Sequence, residues 1–249
     1  MLLQSDDGIL MKTLKHGITC ENCACDFDFV FKALSADELK KIARHKHTRT
    51  YQKGEILFYE GMEPFGVYCI ATGAVKLYKT DQNGSQTILR IVKKGSLLEL
   101  RALLARQNNS STGEVLEDGE ICFIDKKTIV SMIEKNQNLF SDVTKNLCAQ
   151  LGDYENKIHS LAKDSVRERL ARLLLDLAKN FTKKKKNKNI IEINLSREEM
   201  AQLIGTATET LIRFLSEFKR DRLVAINGRK IEILDEKSIS DIAGNLPII

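Results

Sequence analysis

The sequence contains no apolar run that approaches the roughly 20 residues of a membrane-spanning helix. Its N-terminal segment, which carries Asp6 and Asp7, does not show the pattern of a secretory signal peptide. We therefore expect a cytoplasmic protein with no membrane partner. Because cytoplasmic thiols stay reduced, the six cysteines are expected to be ligands, redox thiols or core residues rather than disulfides.

Catalytic signals are also scarce. The four histidines, His16, His45, His47 and His159, are scattered, and no nucleophile motif accompanies them. Nucleophilic catalysis needs a nucleophile and a base within hydrogen-bond reach of each other. We therefore expect the protein not to be an enzyme.

Positive charge is unevenly placed, although the net charge is only +5. Residues 183–188 hold five lysines, in a loop that either is a solvated connection or contacts phosphates. A second basic cluster consists of Lys219, Arg220, Arg222, Arg229 and Lys230. A basic C-terminal part suggests an anionic partner, most simply nucleic acid.

The stretch from Leu195 to Lys219 predicts two short helices joined by a tight turn. Ser196 followed by Glu199 forms a capping box, which marks the start of the first helix. Gly205 is expected to end that helix, because glycine adopts the left-handed backbone cheaply. Thr206 and Thr208 are each able to cap the second helix. This layout is that of a helix-turn-helix, whose second helix lies in the DNA major groove.

One face of the second helix carries groups that suit base recognition. Arg213 can donate two hydrogen bonds to a guanine, and Glu209, one turn earlier, can accept one from a cytosine. The alternative is a surface ion pair between Glu209 and Arg213, worth about 0.3–0.5 kcal/mol. With the cap, the glycine turn and a hairpin that follows, we favour DNA recognition. The predicted DNA-binding residues are Ser196, Arg197, Thr206, Thr208, Glu209, Ile212 and Arg213.

The segment SREEMAQLIGTATETLIRFLSEFKRDRLV closely resembles the helix-turn-helix of the cyclic-AMP receptor/fumarate–nitrate reduction regulator (CRP/FNR) family. The resemblance implies that Glu209 and Arg213 read the G and A of a TGA core. It also implies that Thr208 helps to set the outer bases. A second Asn-Gly hairpin, at Asn227-Gly228, would be the wing of a winged helix, and the tail from Asp235 carries little signal.

Residues 47–125 show short β-rich runs broken by glycine or asparagine, with a strong hairpin turn at Asn83-Gly84. The segments KGEILFYEG, GVYCIATGAVKLYK and GSLLELRALL resemble the cyclic-nucleotide-binding β-roll of the same family. A capping box at Ser35 and Glu38 opens a helix before these strands. The expected fold class is α+β: a cyclic-nucleotide-binding-like β-roll (jelly roll), a long dimerisation helix and a C-terminal winged helix-turn-helix.

A long helix is predicted over residues 137–163, with large apolar residues in an a/d stripe typical of a coiled-coil seam. The predicted dimer-interface residues are Phe140, Leu147, Leu151, Tyr154, Ile158 and Leu161. The alternative is a helix packed on its own barrel, but we favour a parallel homodimer. The expected domains are residues 1–136 for the arm and sensor, 137–163 for the dimerisation helix and 164–249 for DNA binding.

The sensor pattern departs from that of nucleotide-binding family members. Glu99 stands at the position of the ribose-binding glutamate, but Leu98 replaces the preceding glycine. No basic residue occurs from Gln107 to Glu120, where the resemblance places the phosphate-binding arginine. A buried cyclic phosphate would lack its charge partner, so we do not expect a cyclic nucleotide. Glu99 and Arg101 are the candidate effector-pocket residues.

The cysteines offer a rival effector. Cys20, Cys23 and Cys122 match three of the four iron–sulfur ligand positions that the oxygen-sensing branch of the family implies. The remaining position is Phe29, and Cys25 could substitute for it only with a different backbone path. Three interpretations stay open: an iron–sulfur cluster, another metal or thiol redox site, and plain core thiols.

The sequence therefore predicts a homodimeric transcription regulator that binds a palindromic site with TGA-containing half-sites. The expected partners are double-stranded DNA and a second copy of the chain, with RNA polymerase as a further candidate. The alternatives are a cyclic-nucleotide-binding signalling module and an iron–sulfur or redox-sensing regulator whose DNA binding depends on its cysteines.

Overall fold

The computed structural model describes residue 31 and residues 34–181, 189–191 and 194–244. Its helices are α1 (Ala36–His45), α2 (Leu100–Ala105), α3 (Lys126–Lys135), α4 (Gln137–Lys163), α5 (Val166–Phe181), α6 (Arg197–Ile204), α7 (Thr208–Arg220) and α8 (Glu236–Ala243). None of these helices is long and apolar enough to cross a membrane.

An N-terminal β-roll is built from two four-stranded antiparallel sheets. One sheet has the order β1 (Lys46–Tyr51), β8 (Gly119–Asp125), β3 (Gly66–Ile70) and β6 (Leu97–Leu98). The other has the order β2 (Ile56–Phe58), β7 (Thr112–Glu117), β4 (Ala74–Thr80) and β5 (Gln86–Lys93). Apolar side chains of both sheets fill the space between them.

The hairpin predicted at Asn83-Gly84 joins β4 to β5. The Asp81 carboxylate accepts hydrogen bonds from the backbone amides of Asn83 and Ser85, both at 2.9 Å. Gly84 takes a positive φ of 80°, which glycine adopts at little steric cost. The turn therefore spans a loop longer than two residues and is held by the aspartate.

Helix α4 begins inside the β-roll core and leaves it along its length. The Asn136 side chain caps it by accepting from the amide of Leu139, and Leu139 and Val143 are buried against the roll. Beyond these residues the helix exposes large apolar side chains. The predicted long helix over residues 137–163 is thus present with those ends, whereas the division of the chain into domains stays a prediction.

The C-terminal part combines helices α5 to α8 with a three-stranded sheet in the order β10 (Val224–Asn227), β11 (Lys230–Ile233) and β9 (Asn189–Ile191). The β10–β11 hairpin is the predicted wing, but its turn is shifted by one residue. Asn227 pairs with Lys230 in the ladder, so the two-residue turn is Gly228-Arg229, with Gly228 at a φ of 59°.

Helix α8 follows Asp235 in the tail where the sequence analysis expected little. The Asp235 carboxylate caps it by accepting from the amide and the hydroxyl of Ser238. Its buried residues Ile239 and Ala243 complete the core that α5 to α7 share. The tail is therefore part of the C-terminal fold.

A buried lysine ties the helix-turn-helix to the β-roll. Lys76 of β4 lies 3.0 Å from Glu114 of β7 and 3.2 Å from Glu199 of α6. Burial alone would lower the pKa of Lys76, but hydrogen bonds and charge from the two glutamates raise it. Apolar residues of the roll, among them Tyr78 and Ile88, share one core cluster with the helix-turn-helix.

A buried arginine joins α4, α5 and α8. Arg172 of α5 donates from Nη1 to the Ser160 hydroxyl and the Asp164 carboxylate, each at 2.5 Å. Its Nη2 donates to the carbonyl of Ala243 at 2.7 Å. Because Ser160 and Asp164 lie at the end of α4, one guanidinium fixes this long helix to the helices that follow it.

We predict that Arg172→Met lowers the free energy of unfolding by about 3 kcal/mol, because it leaves a largely buried carboxylate and carbonyl without their donors. Urea denaturation followed by circular dichroism measures this. The matched control is Arg220→Met, whose side chain is 75% exposed beside Asp221 and should change stability by less than about 0.5 kcal/mol. Equal losses in the two variants would contradict the role of Arg172.

Candidate functional site

Helix α6 is started and ended as its sequence predicts. The Ser196 hydroxyl accepts from the amide of Glu199 at 3.0 Å, and the Glu199 carboxylate accepts from the amide of Ser196 at 2.8 Å. Gly205 ends the helix with a φ of 63°. The predicted capping box is therefore confirmed, and the Ser196 side chain has an internal partner.

The expected capping of α7 by a threonine is wrong. The N-cap residue is Ala207, which makes no side-chain hydrogen bond, and Thr208 is already the first helical residue. Thr206 lies one residue too early to cap, because the turn after Gly205 is short. The first backbone amides of α7 consequently have no side-chain acceptor from the N-cap residue. They point out of the N-terminal end of the helix.

Helix α7 buries one side and exposes the other. Leu211, Leu215 and Phe218 are buried in the C-terminal core. Ile212 and Arg213 are exposed on the opposite face, and Glu209 is exposed beside them. The predicted base-reading side chains therefore share one solvent-facing surface.

The charges on this surface are not arranged as a Glu209–Arg213 pair. Arg213 lies 3.6 Å from Glu217, one turn later, and its guanidinium lies 4.5 Å from the centre of the Phe214 ring. Its side chain is 63% exposed, so this ion pair contributes at most about 1 kcal/mol. Arg213 can exchange Glu217 for another acceptor at small cost.

Arg197 has a structural partner as well as a place in the predicted interface. Its Nη2 donates to the carbonyl of Gly228 at 2.8 Å, which joins the start of α6 to the wing. Of the predicted DNA-binding residues, Ser196 and Arg197 thus hold the motif together, whereas Glu209, Ile212 and Arg213 face outward.

The predicted dimer seam is largely exposed in the single chain. Ile158 is 68% exposed, Leu151 60% and Phe140 51%, and Tyr154 and Leu161 are also exposed. Leu147 differs, because it is half-buried against the core of its own β-roll. Helix α4 thus packs on its own β-roll through its first part and again through Lys157, which donates to the carbonyl of Leu89, while a stripe of large apolar side chains stays exposed.

A cavity of about 270 Å³, here called the roll cavity, contains the predicted effector residues. Glu99 takes a left-handed backbone with a φ of 66° and accepts a hydrogen bond from the Asn109 amide. Burial raises the pKa of Glu99 to about 7, although this hydrogen bond opposes the rise. Arg101 is exposed, and its Nη1 donates to Gln107 at 3.0 Å.

Sequence reasoning missed Arg90 in the roll cavity. Arg90 lies on β5, its guanidinium is 5.9 Å from the centre of the Tyr154 ring, and none of the described residues gives its buried Nε a hydrogen-bond partner. The family pattern places a phosphate-binding cation within residues 107–120, whereas strand pairing brings Arg90 to the cavity on β5. No local motif marks this residue.

The predicted metal ligands are only partly within the described residues. Cys20, Cys23 and Cys25 lie outside them. Cys122 is buried in β8 opposite Cys69 of β3, with its sulfur 3.3 Å from the Thr48 hydroxyl. Across the described ranges, no three side chains of the metal-binding types lie close enough to hold an ion. This part of the chain does not by itself offer a site for an iron–sulfur cluster.

Two family models match the chain. A cyclic nucleotide-binding domain matches residues 48–136, and a Crp-like helix-turn-helix domain matches residues 168–242. These matches fall on the β-roll and on the part that contains α6 and α7. They agree with the predicted fold class of β-roll, long helix and C-terminal helix-turn-helix, which is confirmed.

Similar proteins of known role are regulators. The fumarate and nitrate reduction regulatory protein of Yersinia pestis is 24% identical over 233 residues, which are 92% of each chain. Its Escherichia coli K12 counterpart is 24% identical over 231 residues, covering 92% of this chain and 91% of its own.

Solved structures have the same fold. FixK2 from Bradyrhizobium japonicum has a TM-score of 0.72 at 19% identity, covering 81% of this chain and 99% of its own. A transcriptional regulator of the CRP/FNR family from Thermus thermophilus has a TM-score of 0.67 at 22% identity, covering 79% of this chain and 98% of its own.

We predict that the chain forms a dimer through α4 and that Leu151→Glu or Ile158→Glu converts it to monomers, because each places two like charges together at a two-fold seam. Sedimentation velocity measures the mass. Ala149→Glu, an exposed position off the seam on the same helix, is the matched control and should stay dimeric. Leu147 is unsuitable for this test because its substitution would also damage the roll. Dimers in both seam variants would contradict the assignment.

We also predict a pH-dependent stability contribution from Glu99. A carboxyl whose folded pKa, about 7, exceeds its ordinary 4.5 destabilises the fold as pH rises between these values. Glu99→Gln does not titrate and keeps an acceptor for Asn109. The free energy of unfolding of the variant minus that of the wild type should therefore be about 1–2 kcal/mol larger at pH 8 than at pH 5. Urea denaturation at the two pH values measures the difference, and an unchanged difference would contradict the raised pKa.

Proposed function

Because this chain belongs to the CRP/FNR family of transcription regulators, we propose that it binds, as a homodimer, a palindromic DNA site with two TGA-containing half-sites. The observation that carries the proposal is α7. Its apolar side is buried in the C-terminal core while Glu209, Ile212 and Arg213 face solvent. The family members are regulators rather than enzymes, in line with the sequence expectation.

In this proposal α7 enters the major groove with its N-terminal half toward the bases. Arg213 leaves Glu217 and donates to guanine O6 and N7, while Glu209 accepts from the N4 amine of a cytosine. The exchange is inexpensive because the Arg213–Glu217 pair is exposed. Thr208, in the first turn of α7, lies where it can influence the outer bases of the half-site.

Phosphate contacts supply the salt-dependent part of the affinity. Lys219 and Arg220 lie exposed at the end of α7, and the uncapped first amides of this helix offer further donors. These groups fix the register of the protein on the duplex and carry no sequence information.

The dimer places two such helices on one face of the duplex. A parallel pairing of α4 through its exposed apolar stripe would set the two α7 helices about 34 Å apart, one turn of DNA. The chain then divides into a sensor over residues 1–136, a dimerisation helix over 137–163 and a DNA-binding domain over 164–249. A contact with RNA polymerase stays a further prediction.

The cyclic-nucleotide alternative is favoured by the match of that family model to the β-roll. Two features of the roll cavity argue against it. Glu99 is held by Asn109, and Arg101 turns to Gln107. Calorimetric titration with cyclic AMP and cyclic GMP tests this alternative directly.

The iron–sulfur alternative depends on Cys20, Cys23 and Cys25, with Cys122 as a further thiol. The described residues supply only the buried Cys122, so we derive no regulatory step from a cluster. The iron and acid-labile sulfide content of protein purified without oxygen decides between a cluster and structural thiols.

We predict that Arg213→Ala weakens binding to a palindrome with two TGA half-sites by about 1–3 kcal/mol per half-site and relaxes the preference at the guanine position. Fluorescence anisotropy with the palindrome and with half-sites substituted at that position measures both effects.

Arg220→Ala is the matched control. It should weaken binding to all sequences to a similar degree and reduce the salt dependence, because it removes a phosphate contact. An Arg213→Ala protein that kept the full preference for guanine would refute the assignment of base recognition.

A further inference from the structure

A second cavity lies where the parts of the molecule meet, and we call it the joint cavity. It has a volume of about 490 Å³, within the range of small-molecule sites. Its walls are strand β5 of the roll, the second half of α4, helix α5 and the end of α6. It shares one wall with the roll cavity, formed by Leu89, Arg90, Gln150 and Tyr154.

The walls of the joint cavity carry an excess of positive charge. The cations are Arg90, Lys93, Lys157, Arg169, Arg172 and Lys179, against the carboxylates of Asp153 and Asp176, and of these cations Arg172 is already paired with Asp164. Because the cationic side chains outnumber the carboxylates, the cavity favours a negatively charged occupant.

Several of these cations donate their hydrogen bonds to neutral groups. Lys157 donates from Nζ to the carbonyl of Leu89, and Lys93 donates to the amide oxygen of Asn180 at 2.6 Å. Arg169 donates to the backbone carbonyls of Ile204 and Asp164, both at 2.8 Å. These hydrogen bonds hold the positive charges in place without neutralising them.

Arg90 adds a buried donor, the Nε of its guanidinium. None of the described residues accepts from its buried Nε, an arrangement that costs free energy unless another group completes it. The guanidinium lies near the ring of Tyr154, at the wall that the two cavities share. An anionic group in the joint cavity would supply the missing acceptor.

Burial has already shifted two of the ionisable groups. It lowers the pKa of Lys157 to about 8, against a smaller rise from Asp176, and it raises the pKa of Asp176 to about 6 despite the nearby lysines. A bound anion would raise the pKa of Lys157 back toward its ordinary value, because it favours the charged form. The polar part of the cavity is thus poorly solvated, which strengthens an ion contact made there.

Much of the remaining lining is apolar. It comes mainly from side chains of α5 and α6, including Leu173, Leu177, Phe181 and Leu203. An inorganic ion would leave this surface facing empty space, whereas an organic anion with an aliphatic or aromatic body would cover it.

We propose that the joint cavity is a binding site for a small organic anion with an apolar body. Such a ligand would contact the β-roll, the long helix α4 and the helix-turn-helix at once. If the proposed DNA-binding function holds, its occupancy would set the position of α6 relative to β5 and α4.

A matched pair of fluorescent probes tests the site on the full chain. 8-Anilinonaphthalene-1-sulfonate is an aromatic anion, and N-phenyl-1-naphthylamine has the same body without the sulfonate. We expect the anion to bind one saturable site per chain, at least about tenfold more tightly than the neutral probe. Arg90→Gln should remove most of that difference. Equal affinity for both probes, or no saturable site, would overturn the proposal.

Two cavity-filling variants locate the site. Leu173 lines only the joint cavity and Ser110 only the roll cavity, so Leu173→Trp should abolish binding of the anion and Ser110→Trp should leave it unchanged. The reverse pattern would place the probe in the roll cavity and refute the proposal. Circular dichroism and thermal unfolding confirm that each variant is folded. No DNA is used in this measurement, so a negative result would overturn the binding site without bearing on the proposed DNA-binding function.

Discussion

The connection of α4 to the C-terminal helices α5 and α8 depends on the buried guanidinium of Arg172. This guanidinium binds the end of α4 through Ser160 and Asp164 and the last residue of α8 through its carbonyl. An arginine suits this place because its planar fork donates in several fixed directions and stays charged when buried. Through these contacts the end of α4 is connected directly to the C-terminal helices.

A second buried cation, Lys76, connects the β-roll to the helix-turn-helix. Lys76 bridges Glu114 of the roll and Glu199 of α6, and Glu199 also closes the capping box of α6. The β-roll therefore holds the first helix of the motif through this bridge. Helix α7 keeps its Glu209 and Arg213 face in solvent.

The joint cavity adjoins the first of these connections, because Ser160 and Arg172 line it. Its walls belong to the β-roll, to α4 and to the C-terminal helices α5 and α6, which Arg172 and Lys76 hold together. Packed elements with two arrangements respond to a ligand only as far as the ligand prefers one arrangement. A site whose walls come from all three parts of the chain is well placed to have such a preference.

The sequence by itself determined the elements whose signals are local. The capping box at Ser196 and Glu199, the left-handed Gly205 and the apolar spacing of α7 each depend on residues a few positions apart, and the structure agrees with them. The capping of α7 and the turn of the wing were each wrong by about one residue, because turn geometry is set by how the flanking elements pack. Helix α8 had a cap signal in Asp235 and Ser238, but its stability comes from the core that it covers.

Only the tertiary structure decided which distant residues meet. Arg90 reaches the roll cavity from β5, and Leu147 turns into its own core while Leu151 stays exposed. Both cavities and both buried cation bridges join residues that are far apart in the chain. The local sequence pattern carries no information on these long-range contacts. They follow from strand order and helix packing, which the whole chain determines at once.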